Sequence, residues 1–201
     1  MAAEPHVVMG HEAATATGLD NRKVGMWAFL GSECLFFGAM ISTYLLYRNR
    51  IGEGQPRLGD VYDIPYTSVS AFVLLMSSVT MVLALAAIQR GEHRKLRVWL
   101  MATALLGLVF VGGQAFEFTE FVRHGFTFRS SAAGSAFFML TGFHGAHVTV
   151  GILMLLGLFY LSVLGRLPTG DSLRVELVGL YWHFVDIVWI VIFTIVYLFP
   201  Q

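Results

Sequence analysis

The sequence predicts an all-α integral membrane protein, a bundle of five transmembrane helices. Three observations carry that expectation. Of its 201 residues 56% are hydrophobic and only 13% are charged, and five of its segments are long and apolar. A soluble domain carries about a quarter charged residues, and a helix needs ~20 mostly apolar residues to cross a bilayer. The mean hydropathy of +0.69 points the same way.

Residues 1–23 are small and polar, with no basic region ahead of an apolar core. They read as a solvated tail rather than a signal peptide, and residues 24–201 as a single membrane domain. His6 and His11 in the tail read as solvated, with weak metal binding as the alternative. The spans are expected at Val24–Tyr47, Thr67–Ile88, Val98–Phe118, Ser131–Leu164 and Leu177–Phe199. The fourth is too long for one perpendicular crossing, so its start near SSAAGSA is expected at the interface or beyond it. The connections are short and polar, with Gly52, Gly54, Pro56, Gly59 and Pro65 as turn formers in the longest.

Five crossings put the termini on opposite sides. Arg22, Lys23, Arg90, Arg94, Lys95, Arg97, Arg166 and Arg174 share one face, against Arg48, Arg50, Arg57, Arg123 and Arg129 on the other. The positive-inside rule therefore places the N-terminus in the cytoplasm and the C-terminus outside. Tyr44, Tyr47, Tyr66, Trp99, Tyr181, Trp189 and Tyr197 include several residues near span ends, as interfacial anchors require.

Ionisable side chains at bilayer depth are costly, so each marks an internal polar contact or a functional site. His144 and His147 in FFMLTGFHGAHVTVG share one helix face. That spacing suits two metal ligands, but the small neighbours Gly142, Gly145 and Ala146 favour an interhelical hydrogen-bonded pair. His183 and Asp186 repeat the spacing on the last span, as a structural clasp or as a proton relay. Glu33 is expected either to be protonated or to meet a histidine on a neighbouring helix. Gln114 and Glu117 share a face near the end of the third span, where solvent or headgroup contact is the default. The single cysteine, Cys34, excludes an internal disulfide and a cysteine-based metal cage. The sequence has no CxxCH haem attachment, no phosphate-binding loop, no copper-type ligand set and no basic, aromatic-rich surface for nucleic acid.

Five stretches taken in order, WAFLGSECLFFGAM, LLMSSVTMVLAL, GGQAFEF, FFMLTGFHGAHVTVG and YWHFVDIVWIVIFTIVYL, resemble subunit III of haem-copper terminal oxidases, the cytochrome c oxidase family. The resemblance spans residues 24–199. That family usually has seven spans, so this chain looks like its short five-helix form without the first two. The cleft those two helices form in longer relatives holds phospholipid. Here a lipid site would need another subunit, or be lost.

The resemblance implies a subunit without redox chemistry of its own, with haem and copper in partner subunits. It would support assembly, stability and sustained proton uptake of a catalytic subunit that reduces oxygen to water and pumps protons. Glu33 matches the family's SE–FFG carboxylate. Gln114 lies in the matching GGQAFEF stretch, and Glu117, His144, His147, His183 and Asp186 match intramembrane polar positions. All transfer as network, lipid-contact or proton-related positions, none as a catalytic residue or metal ligand. The implied partners are subunits I and II, other respiratory-complex subunits and membrane lipids, in a bacterial plasma (inner) membrane; bound phospholipid is the one ligand implied for this chain. The rival readings are subunit III of a quinol oxidase, an accessory subunit of nitric oxide reductase, and an autonomous membrane metalloprotein or proton channel.

Overall fold

The computed structural model describes residues 20–50 and 64–199. Within them five long helices follow one another: α1 (Asn21–Tyr47), α2 (Ile64–Gln89), α3 (His93–Arg123), α4 (Ala132–Val163) and α5 (Ser172–Phe193). A 3-10 turn, Thr169–Asp171, leads into α5, and a π-helical turn, Thr194–Leu198, extends it. All five are long and apolar enough to cross a membrane. Residues 1–19, including His6 and His11, and the turn formers between 51 and 63 lie outside the described residues.

α1, α2 and α3 overrun their apolar windows through polar end turns, while α4 keeps to its window within one residue. The Asp20 carboxylate accepts from the Arg22 backbone N–H at 2.7 Å and opens α1, three residues before Val24. The Ser131 hydroxyl accepts from the Gly134 N–H at 3.0 Å and opens α4. α2, α3 and α4 each end on a glycine with positive φ: Gly91 at 73°, Gly125 at 80° and Gly165 at 70°. In each case the N–H of the residue after the glycine reaches back five residues, Glu92 to Ala87, Phe126 to Phe121 and Arg166 to Leu161. These are Schellman closures, and only glycine takes that backbone without strain. The Phe121 and Phe126 rings add the apolar contact that often accompanies them.

The link after α2 shrinks to Arg90–Glu92, because His93–Arg97 is already helix. There the Lys95 ammonium, 2.9 Å from the partly exposed Glu92 carboxylate, holds that group below the usual carboxylate range. The start of α4 near SSAAGSA is part of one continuous helix of 32 residues. At 1.5 Å per residue that is about 48 Å, and its first turns are buried in protein through Ala133 and Phe137.

α2 packs against α3 and α5, and α3 against α4. α4 also carries α5, while α1 rests on α4 and α5. Trp182 of α5 is the wedge of this bundle. It is fully buried and its indole N–H donates to Ser77 Oγ of α2 at 2.9 Å. Gly107 of α3 and Gly151 of α4 face the ring, and a Cβ there would stand 2.6 and 2.7 Å from its carbons. The glycines thus let three helices close around one large side chain.

Four of the aromatic residues considered as anchors, Tyr44, Tyr181, Trp189 and Tyr197, are instead buried within the protein. Proximity to a span end does not say which way a ring points. At the opposite end, Arg97 of α3 donates through Nη2 to the Ser162 carbonyl at 2.8 Å and through Nε to its hydroxyl at 3.2 Å. It joins the Gly165 N–H, which donates to the same carbonyl at 3.2 Å in the turn that closes α4. Arg97→Ala is expected to destabilise the protein by about 1–3 kcal/mol, by removing both charged hydrogen bonds from the guanidinium to Ser162. Arg97→Lys should recover only part, because it loses the planar fork. The unfolding midpoint in detergent measures both.

Candidate functional site

Three interhelical clasps hold Glu33 with His147, His183 with Ser78, and Glu117 with Thr67 and Tyr197. The first clasp joins α1 to α4. Glu33 Oε2 lies 3.3 Å from His147 Nε2, each side chain 18% exposed. His147 Nδ1 lies 2.7 Å from the Phe143 carbonyl, one helical turn back. A carbonyl only accepts, so Nδ1 carries the hydrogen and Nε2 is the atom presented to Glu33. A single proton between Nε2 and Oε2 satisfies both atoms, and the pair is neutral overall with that proton on either side. Phe36 and Phe37 pack on the imidazole, and the Tyr181 hydroxyl of α5 donates to the His147 carbonyl at 3.0 Å.

The second clasp joins α2 to α5. Ser78 Oγ is 2.6 Å from His183 Nδ1. The sequence spacing pairs His183 with Asp186, but the ring turns across the interface to serine, since residues three apart on a helix need not point at each other. Ser78 also approaches the Asp186 carboxyl group, although neither Asp186 oxygen meets full hydrogen-bond geometry. Ser78→Ala is expected to cost about 0.6 kcal/mol and at most ~1.7 kcal/mol, the range for single interhelical bonds in a membrane. A thermal-shift comparison in mild detergent reads it.

The third clasp gathers α2, α3 and the π-helical turn around Glu117. Thr67 donates to Oε1 at 2.7 Å, and the Tyr197 hydroxyl donates to Oε2 at 3.4 Å. Gln114 and Glu117 are thus buried rather than solvated. Both lie late in α3, but α2, α4 and the extension of α5 shield them. The π-helical turn shifts Tyr197 out of α-helical register and onto the carboxylate.

His144 stands apart. It does not pair with His147; its ring stacks on Trp189 at 5.0 Å and meets Phe110 edge-on at 5.9 Å. One helical face therefore carries a histidine with a carboxylate partner and another enclosed by aromatic rings. Among the described residues, no three His, Cys, Asp or Glu side chains converge as a metal-binding group. The sequence reading missed Thr67, Ser78 and Tyr197 as clasp partners. Their one signal was the presence of hydroxyl residues within apolar runs, which sequence alone does not pair.

The architecture defines a multi-pass helical membrane protein whose intramembrane carboxylates meet side chains of neighbouring helices. Comparison with known proteins gives the class a family. The family model described as cytochrome c oxidase subunit III matches residues 1–201, and the chain belongs to that family. It is 36% identical over 178 residues to cytochrome c oxidase subunit 3 of Bacillus sp. (strain PS3), covering 89% of this chain and 86% of the relative. It is 38% identical to quinol oxidase subunit 3 of Bacillus subtilis (strain 168), covering 87% and 85%. It is 36% identical to cytochrome bo(3) ubiquinol oxidase subunit 3 of Pseudomonas aeruginosa, covering 94% and 89%.

Proposed function

We propose that this chain is the non-redox subunit III of a proton-pumping haem-copper oxidase in a bacterial plasma membrane, oriented with its N-terminus in the cytoplasm. It packs beside a catalytic subunit I, with subunit II in the same complex, and supports assembly, stability and sustained proton uptake. The observation that carries this reading, beside family membership, is that Glu33 and Glu117 each meet side chains of other helices. Such groups hold helices in register. Haem and copper belong to the partner subunits in this reading.

The role is tested by deleting the chain from its host and isolating the oxidase in mild detergent. The expected result is less assembled oxidase, and an enzyme that turns over normally at first but inactivates after fewer turnovers. Unchanged yield and unchanged turnover lifetime would sink the proposal. Glu33→Gln narrows it: unaltered pumping, inactivation and pH dependence would remove Glu33 from proton uptake and leave it a clasp alone.

Relatives named for cytochrome c and for quinol both match, so a quinol oxidase is the second reading. Activity of the purified complex with each donor decides between them.

Bound phospholipid belongs to the same proposal. A groove of about 520 Å³ between α1 and α4 is lined by Phe36, Met40, Ala136 and Met139, with Thr43, Tyr47 and Ser135 as its polar members. Its apolar walls suit an acyl chain. Ala136→Trp is expected to fill the groove and lower the phospholipid that co-purifies with the complex, measured by lipid extraction. An unchanged lipid-to-protein ratio would rule the groove out.

A further inference from the structure

Four buried polar side chains in the bundle interior hold atoms with no hydrogen-bond partner among the described residues. These atoms are the Gln114 amide nitrogen, both His144 ring nitrogens, the Trp189 indole nitrogen and both Asp186 carboxyl oxygens. All four residues are more than nine-tenths buried. Leaving a buried donor or acceptor unpaired costs roughly 1–3 kcal/mol, so four together in one core would be a heavy loss.

They are also contiguous. The His144 ring stacks on Trp189, and Phe110 meets both rings edge-on, Trp189 at 4.8 Å. Gln114 lies one turn beyond Phe110 on the same face of α3, and Asp186 lies three residues before Trp189 on the same face of α5. The Gln114 amide oxygen stands 3.0 Å from where a Gly145 Cβ would be, beside the turn that carries His144. α3 and α5 cross in the same direction, so Asp186, then Trp189 with His144, then Gln114 follow one another along the bundle axis.

The chemistry of the file is complementary but unjoined. Asp186 offers acceptor oxygens, Trp189 a donor only, Gln114 amide donors, and His144 one donor and one acceptor when neutral. Buried waters typically make about three hydrogen bonds to such groups. We propose that this file is an internal water-binding site, in which ordered waters bridge Asp186, Trp189, His144 and Gln114. Direct bonds close both ends: Ser78 with His183 one turn before Asp186, and Thr67 and Tyr197 with Glu117 one turn beyond Gln114. The waters are therefore held within the bundle, not strung into a path across it. The site lies wholly within this chain, so it holds water whichever oxidase contains the subunit.

A high-resolution cryo-electron microscopy map of the intact membrane complex tests the site. Water density is expected within about 2.6–3.2 Å of an Asp186 oxygen and of a His144 or Gln114 nitrogen. A map in which these atoms bond only to protein, or have nothing beside them, overturns the proposal. Infrared difference spectra in light and heavy water give a second readout. The buried-water O–H band should persist in Asp186→Asn, which keeps polar atoms there, and be lost in Asp186→Leu. Should Asp186→Leu fail to assemble, His144→Phe keeps the ring and removes both nitrogens, and the band should weaken or shift. A band that is absent from the native complex, or unaltered in the apolar variant, refutes the site.

Discussion

A methyl group added at Gly151 or at Gly107 is expected to destabilise the protein by roughly 1–3 kcal/mol, the cost of overpacking a close-packed interior. At Gly151 the new carbon would stand 2.7 and 2.8 Å from Trp182 and 3.3 Å from Tyr181. At Gly107 it would stand 2.6 Å from Trp182 and 3.1 Å from Ile152. The indole cannot yield readily, because its N–H is bonded to Ser77 and the ring is fully buried. Trp182→Phe should rescue part of the loss in either glycine variant by withdrawing the second ring. Gly157→Ala is the control: nothing lies within 4 Å of its added carbon, and alanine is the better helix former. The thermal midpoint of the purified complex should fall in the first two variants and hold or rise in the control. Equal midpoints in all three would show that Trp182 is not a fixed wedge.

The second large effect is expected at the α1–α4 clasp. Glu33→Leu leaves His147 Nε2 facing an apolar side chain, and His147→Leu strands the carboxyl group. Breaking one side of a fully buried pair costs about 3–5 kcal/mol. With 18% of each side chain exposed, roughly 1–3 kcal/mol is the fitting expectation here. The double variant should be more stable than either single one, because no polar atom is left unpaired. Glu33→Gln should be milder than Glu33→Leu, since its amide can donate to Nε2. Thermal stability and retention of the subunit in the isolated complex measure the cycle. Additive losses would mean that the two side chains act independently.

Much of the fold was legible in the sequence, because five apolar runs separated by polar links leave few alternatives in a bilayer. The helix ends were legible to within about a turn in α1, α2 and α4, but α3 continues through polar residues at both ends until the glycine at 125 stops it. The site was legible as residues and only partly as partners. That Glu33 would be protonated or would meet a histidine on another helix followed from its depth, and His147 stands beside it. That His183 would turn to Ser78, and that Glu117 would meet Tyr197, depends on helix rotation and on a π-helical turn. Periodicity says which residues share a face, not which neighbour that face meets. The two histidines of FHGAHV share a face in outline yet meet different surroundings, because one looks toward α1 and the other toward Phe110 and Trp189.

α1 leans on α4 and α5, with Lys23 reaching Glu176 at 2.7 Å at one end and Glu33 reaching His147 within the span. Only 11% of its apolar stretch is buried, against 50% for the last span. α1 thus precedes in the chain both helices that seat it. Glu33 therefore meets its partner only once His147 has been made. A chain that stops before residue 147 lacks the histidine side of that clasp, so the clasp couples α1 to the helices that follow it.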